Sequence, residues 1–267
     1  MINFNPESNT SLLQQVQNKQ ESILEKLSSG KRINSASDGA AAQQIIDRLT
    51  TQIEGNRQSI SNAFDGVSLT QVAEGGLAGI NKDVNRIREL SVQSGNGLLS
   101  DSDRQAIQSE VTQLQENISQ TIEQTEFAGK SLLSSNGSID FQVGANTGQK
   151  IGVATQDVAT SLNDILNVDL STVQGAEDAL AIADEATEFV GIARADLGAS
   201  QNKFESAARN LTQTDVNIFA SRSRVQDTDF AQAASENVTA GILSQSSIAV
   251  QDIANQQQAQ VLSLLNG

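Results

Sequence analysis

The sequence predicts a mainly α protein: a long antiparallel coiled-coil or helical-bundle rod with a small β-hairpin region and with its N- and C-terminal helices paired. Three observations carry this. Ala183, Ala186, Val190, Ala193, Leu197, Ser200, Phe204, Ala207, Leu211, Thr214, Ile218, Ser221 and Val225 step by 3 and 4 without a slip over six heptads. Shorter seams of the same spacing lie at both ends: Leu13, Val16, Gln20, Ile23 and Leu27, then Leu243, Ser246, Val250, Ile253, Gln257, Gln260 and Leu264. Between them, Ile139, Phe141 and Val143 alternate, a Gly144–Gly148 turn follows, and Ile151 and Val153 alternate again, which is the period of a hairpin.

Each element has its own signals. The polar members of the two terminal seams weaken a coiled coil while fixing its register, so these helices need partners. After the first comes a Gly/Ser/Asn-rich break at 28–39, with Ser37 or Asp38 as N-cap of the next helix. That helix carries Ile46, Leu49, Ile53, Ile60, Val67, Leu77, Ile80, Val84, Ile87 and Leu90 and ends near Gly95-Asn96-Gly97. Ser100-Asp101-Ser102-Asp103 caps a third helix with Ile107, Val111, Leu114, Ile118 and Ile122. The hairpin region runs from about 134 to 173 and ends in a loop-like stretch, and the long helix extends from Gly175 to Val225, about 75 Å at 1.5 Å per residue. Residues 1–37 and 228–267 are expected to form one coiled-coil domain, and 38–227 a helical domain containing the hairpin.

Composition narrows the chemistry. The 267 residues include no His, Cys, Trp or Tyr, one Pro and eight Phe. That removes Ser/His/Asp and Cys/His nucleophiles, Cys- or His-ligated zinc, haem, iron–sulfur clusters and disulfides. No enzyme activity, cofactor or metal is expected. Ser, Gln, Asn and Thr together make 98 residues, and the net charge of −15 argues against nucleic acid and anionic membranes as partners. No apolar run is long enough for a transmembrane helix. Met1–Glu7 lacks the basic and apolar regions of a cleavable signal peptide. Asp101 and Asp103 begin like a calcium loop, but Ala106 and Thr112 stand where glycine and glutamate are required, so they read as caps. Asp227 and Asp229 read as an acidic N-cap cluster for the last helix.

Several segments carry a resemblance. Leu27-Ser28-Ser29-Gly30-Lys31-Arg32-Ile33-Asn34-Ser35-Ala36-Ser37-Asp38-Gly39-Ala40-Ala41 is similar to the LSSGxRINSAxDDAAG signature of bacterial flagellins. Arg86-Ile87-Arg88-Glu89-Leu90-Ser91-Val92-Gln93-Ser94 resembles the family's R-V-R-E-L-A-V-Q-S helix, and Phe141-Gln142-Val143-Gly144-Ala145 its hairpin. Residues 220–231 and 261–265 are likewise similar. Lys31 and Gly39 depart from the signature. The chain resembles a short flagellin without the variable outer domains.

The resemblance implies a structural subunit that polymerises into the helical flagellar filament used for motility, outside the cell and exported without a cleavable signal peptide. A hook–filament junction protein of the same apparatus is the alternative, and a helical adaptor or chaperone a third reading. Implied partners are further copies of the chain, the export apparatus with its flagellin chaperone, and the filament cap and junction proteins. Leu13, Val16, Ile23, Leu27, Val250, Ile253, Val261, Leu264 and Leu265 are the expected self-assembly residues. Arg86, Leu90 and Glu110 match positions by which an innate-immune Toll-like receptor docks on flagellins.

Overall fold

The computed structural model describes the backbone of residues 6–265, with side chains described for 11–257, 259 and 260. In order come α1 (Pro6–Ser29), α2 (Ala40–Ser94), α3 (Asp101–Gln124), β1 (Glu126–Phe127), β2 (Lys130–Ser131), β3 (Ser134–Gln142), β4 (Lys150–Asp157), α4 (Val158–Ser161), α5 (Asn163–Leu166), α6 (Val173–Gln226) and α7 (Phe230–Leu265). The chain divides into two compact units: Met1–Ile53 with Val216–Gly267, and Glu54–Asp215. The divisions fall inside α2 and α6, whereas the sequence changes texture at 37–38 and 227–228.

In the second unit α2 and α6 run antiparallel, as their cross-pairs show: Arg57–Asp215, Glu74–Arg194 and Arg88–Asp184 rise on one helix as they fall on the other. The first half of the expected α6 seam is buried, at Ala183, Ala186, Val190, Ala193, Leu197 and Phe204; beyond it Ala207, Leu211, Thr214, Ile218 and Val225 are half-buried and Ser221 is exposed. On α2, Leu69, Leu77, Ile80, Val84, Ile87 and Leu90 face them, while Ile60 and Val67 are half-buried and Ala63 and Ala73 take the inner places. Where bulky side chains are scarce, alanine lets the helices approach closely enough to exclude water.

Phe204 is fully buried. Its ring lies over Gly66, whose position admits no Cβ without reaching within 2.5 Å of the ring, and it meets Phe141 of β3 edge-on at 5.3 Å. The hairpin is antiparallel, with Ile139 opposite Val153 and Phe141 opposite Ile151. Asn62 of α2 donates to the Gln142 carbonyl at 2.9 Å and fixes the hairpin against the helix.

Ser100 and Asp103 form the expected capping box on α3, which holds the Asp103 carboxyl below its usual range, first through the Ser100 hydroxyl and then its amide. Four features were not foreseen. Arg104, buried in the first turn of α3, donates to the carbonyls of Ser94, Asn96 and Leu99 and so sets the α2–α3 turn. Gln108 and Gln115 of α3 bond the backbone of 165–170. The stretch expected as loop contains α4 and α5, nucleated by Asp157 as N-cap. A second small hairpin, β1–β2, turns through Ala128 and Gly129, both at positive φ.

The charge is unevenly placed. Residues 54–215 hold 23 acidic and 10 basic side chains, net −13, against 9 and 7, net −2, in the first unit.

Candidate functional site

With no His or Cys, and with no group of three or more acidic side chains placed to hold a metal among the described residues, the candidate site is a surface. It lies on the first unit, where α1 and α7 pair antiparallel.

The link between α1 and α2 explains the signature-like segment 27–41. Gly30 ends α1 at φ +68°, a left-handed position that costs a side chain about 1 kcal/mol. Lys31 and Asp227 form an isolated antiparallel bridge, and the Thr228 amide donates to the Gly30 carbonyl at 3.1 Å. The Arg32 amide and guanidinium donate to the carbonyls of Gln226 and Val225, at 2.6 and 2.8 Å, satisfying the end of α6 with a cation where the helix dipole is negative. Asp38 does not cap α2 as expected. Its carboxylate turns back to accept from the amides of Asn34 and Ser35, which hold it below the usual carboxylate range. The short side chain is thereby spent on closing the turn. Asp229 caps α7 through the amides of Ala231 and Gln232, and Asp227 accepts from the Ser223 hydroxyl.

The inner face of α1 is the expected one: Val16 and Ile23 are buried, Leu13, Gln20 and Leu27 half-buried. On α7 the seam lies one residue later than the spacing of its large apolar residues predicts. The residues turned inward are Ala233, Asn237, Ala240, Ser244, Ser247, Gln251 and Ala254, stepping by 4 and 3 throughout. Small side chains give the closest approach of two helices, so they take the seam. The large ones are displaced outward: Leu243 is 49% exposed, Val250 40% and Ile253 55%.

Val238, Ile242, Leu243, Val250 and Ile253 then share an arc roughly 140° wide at 100° per residue, and all are exposed. On α1, Leu12 and Leu24 are exposed as well. Two amide oxygens turned into the seam, Asn237 Oδ1 and Gln251 Oε1, are buried without a hydrogen-bond partner. Val261, Leu264 and Leu265 lie outside the described side chains.

The second surface named from sequence is on the other unit. Arg86 bonds Glu110 on α3 at 2.7 Å and Glu89 at 3.1 Å, both largely in solvent, and Glu110 first and Glu89 next raise the guanidinium pKa further. Leu90, expected on the same docking surface, is 1% exposed and belongs to the hydrophobic core of this unit. Leu90 follows Arg86 by a full turn plus about 40°, a step that separates the exposed guanidinium from the buried leucine at the edge of the inner face.

Known proteins match this chain over nearly its full length. The bacterial flagellin N-terminal helical region matches residues 2–138 and the bacterial flagellin C-terminal helical region residues 180–265. A flagellar filament 30.7 kDa core protein of Treponema maltophilum is 37% identical, with 91% of each chain covered. A flagellin of Bacillus subtilis is also 37% identical over 91% of each. Among solved structures, Bacillus cereus flagellin superposes with a TM-score of 0.53 at 23% identity, covering 61% of this chain and 94% of that one. A putative flagellar hook-associated protein from Vibrio parahaemolyticus gives 0.61 at 13% identity, covering 71% and 100%. At such identities the structures show the helical fold alone, and the sequence matches support a filament subunit over a junction protein. The chain belongs to the bacterial flagellins, the structural subunits of the flagellar filament.

Proposed function

We propose that copies of this chain join through the outward faces of α1 and α7, and that the exposed arc of Val238, Ile242, Leu243, Val250 and Ile253 is covered by neighbouring copies. The observation that carries this is the inverted packing of α7: small and amide side chains turned in, large apolar ones turned out. Among the described side chains, the α1–α7 pair buries two large apolar side chains of α1, Val16 and Ile23, and alanines from α7. A seam that thin contributes little on its own, and association adds the missing apolar burial. Leu13, Val16, Ile23 and Leu27 act by holding α7 in place, Val250 and Ile253 by direct contact, and 261–265 continue the helix that carries them.

The same reading makes the protein a building block without catalytic activity, working outside the cell in the filament. It reaches that place through the flagellar export apparatus with the help of its chaperone, by a route that reads no cleavable signal peptide. No helix among the described residues is long and apolar enough to cross a membrane. The filament cap and junction proteins are its neighbours at the filament ends.

Removing residues 248–267 tests the role of α7. The shortened chain is expected to remain a soluble, folded monomer that does not elongate filament seeds, seen by negative-stain microscopy. Filaments of normal length from it would refute the role of α7.

A further inference from the structure

Two Asn-Gly pairs lie among the described residues, Asn96-Gly97 in the turn between α2 and α3 and Asn136-Gly137 in β3. In such a pair the carboxamide carbon is an electrophile and the next peptide nitrogen a latent nucleophile. Glycine, with no Cβ, leaves the approach between them open and the backbone free to bend. The fold holds the two pairs in opposite ways.

Asn96 and Gly97 are both exposed, and a Cβ at Gly97 would meet nothing within 4 Å, so hydroxide can reach the peptide nitrogen. The Gly97 amide donates no hydrogen bond among the described residues, which leaves its proton free to go. The carbonyl of the same peptide unit, that of Asn96, accepts from the Leu99 amide at 3.1 Å and from Arg104 Nη1 at 3.2 Å. Arg104 is buried, so its charge is fixed and weakly screened. A cation on that carbonyl draws electron density from the peptide and makes its N–H more acidic. The electrophile is polarised too. Asn96 Oδ1 accepts from the Leu98 amide at 3.1 Å, the side-chain turn that folds the carboxamide back over the peptide that follows it. This N–H sits where negative charge collects as the carboxamide carbon becomes tetrahedral, the principle of an oxyanion hole.

Asn136 is held otherwise. Its Oδ1 accepts from the Asp157 amide at 3.0 Å, a donor on the partner strand that draws the carboxamide across the ladder. Gly137 stands in that ladder opposite Thr155, with the Thr155 hydroxyl 3.2 Å from where its Cβ would be. Strand pairing must be given up before carbon and nitrogen can meet there.

We propose that Asn96 is a site of spontaneous deamidation, driven by the turn that holds it. The Gly97 nitrogen gives its proton to hydroxide and bonds to Cγ of Asn96. The bond from Cγ to Nδ2 breaks, and that nitrogen takes a proton from water and leaves as ammonia, regenerating hydroxide. Water then opens the five-membered succinimide at either carbonyl, leaving aspartate or isoaspartate at position 96. Isoaspartate adds a carbon to the main chain between the Ser94 and Leu99 carbonyls that Arg104 spans, and so loosens the turn. Either product adds negative charge to a unit already at −13.

The free full-length chain is aged at mildly alkaline pH, in buffer and in guanidinium, and conversion at each pair is followed by peptide mass mapping. In buffer Asn96 is expected to convert at least about tenfold faster than Asn136, short of the roughly hundredfold of one enzymic oxyanion donor because the turn is open to water. In guanidinium the two rates should draw together, with the Asn96 rate falling. Equal rates in buffer, or a faster Asn136, overturn the proposal. A ratio that survives in guanidinium also overturns it, since neighbouring residues and not the fold would then set the difference. An Asn96 rate that rises on unfolding overturns it as well, because the turn would then shield the site.

Discussion

Phe204→Ala is expected to destabilise the 54–215 unit by about 3–5 kcal/mol, read as a lowered urea midpoint at unchanged slope. Few aromatic rings are available to this chain, and this one is fully buried. Three elements meet on it: α6, which carries it; α2, where Gly66 makes room for it; and β3, whose Phe141 packs edge-on against it. Truncation removes the apolar transfer term and leaves a cavity that helices braced by Arg57–Asp215 and Glu74–Arg194 cannot readily close. The edge-on contact adds roughly 0.5–1.5 kcal/mol that is lost with it. Phe219→Ala, at a ring 48% exposed, is the control and should shift the free chain by no more than about 0.5 kcal/mol. Equal midpoints for the two variants would mean that the hairpin is not anchored through Phe204.

Charging the outward face of α7 should have the largest effect on assembly. Val250→Asp with Ile253→Asp is expected to slow seeded elongation by at least about a hundredfold, since two carboxylates would be taken out of water at each junction at a cost of several kcal/mol apiece, and each 1.4 kcal/mol is a factor of ten. The free chain should be almost unaffected, because both positions are already wet. Melting of the variant monomer and its elongation rate therefore separate. If the doubly charged chain elongates like the parent, the arc on α7 is not the joining surface.

Much of this architecture is legible in the residues. The α6 seam is readable because Val190, Leu197 and Phe204 mark its inner face, and the hairpin because Ile139, Phe141, Ile151 and Val153 alternate in a chain otherwise poor in β-branched runs. The capping box at Ser100 and Asp103 is local chemistry and needs no tertiary information. The α7 seam misleads for a physical reason. Leu243, Val250 and Ile253 dominate any search for apolar spacing, yet helix pairing there is set by alanine and serine, which look like filler. The displacement by one residue is small in number and large in consequence, since it turns an internal seam into an external surface.

Other contacts are hidden by abundance. Gln108 and Gln115 are two of 30 glutamines, and nothing local marks them as the ones that bond the 165–170 backbone. Arg104 does leave a trace: a cation in the first turn of a helix opposes the dipole, which calls for a compensating reason. The three carbonyls it binds are that reason. Leu90 is a motif position that the packing of this unit places in the core, 1% exposed, while Arg86 one turn earlier stays in solvent.

The most direct test of assembly through α7 is the reactivity of a single thiol placed on its outer arc. Ile253→Cys in this cysteine-free chain gives one label site, 55% exposed as isoleucine in the isolated subunit. Maleimide labelling is expected to be rapid in the free chain and at least tenfold slower in assembled filaments, where a neighbouring copy covers the position. Equal labelling rates in free chain and filament would contradict the account.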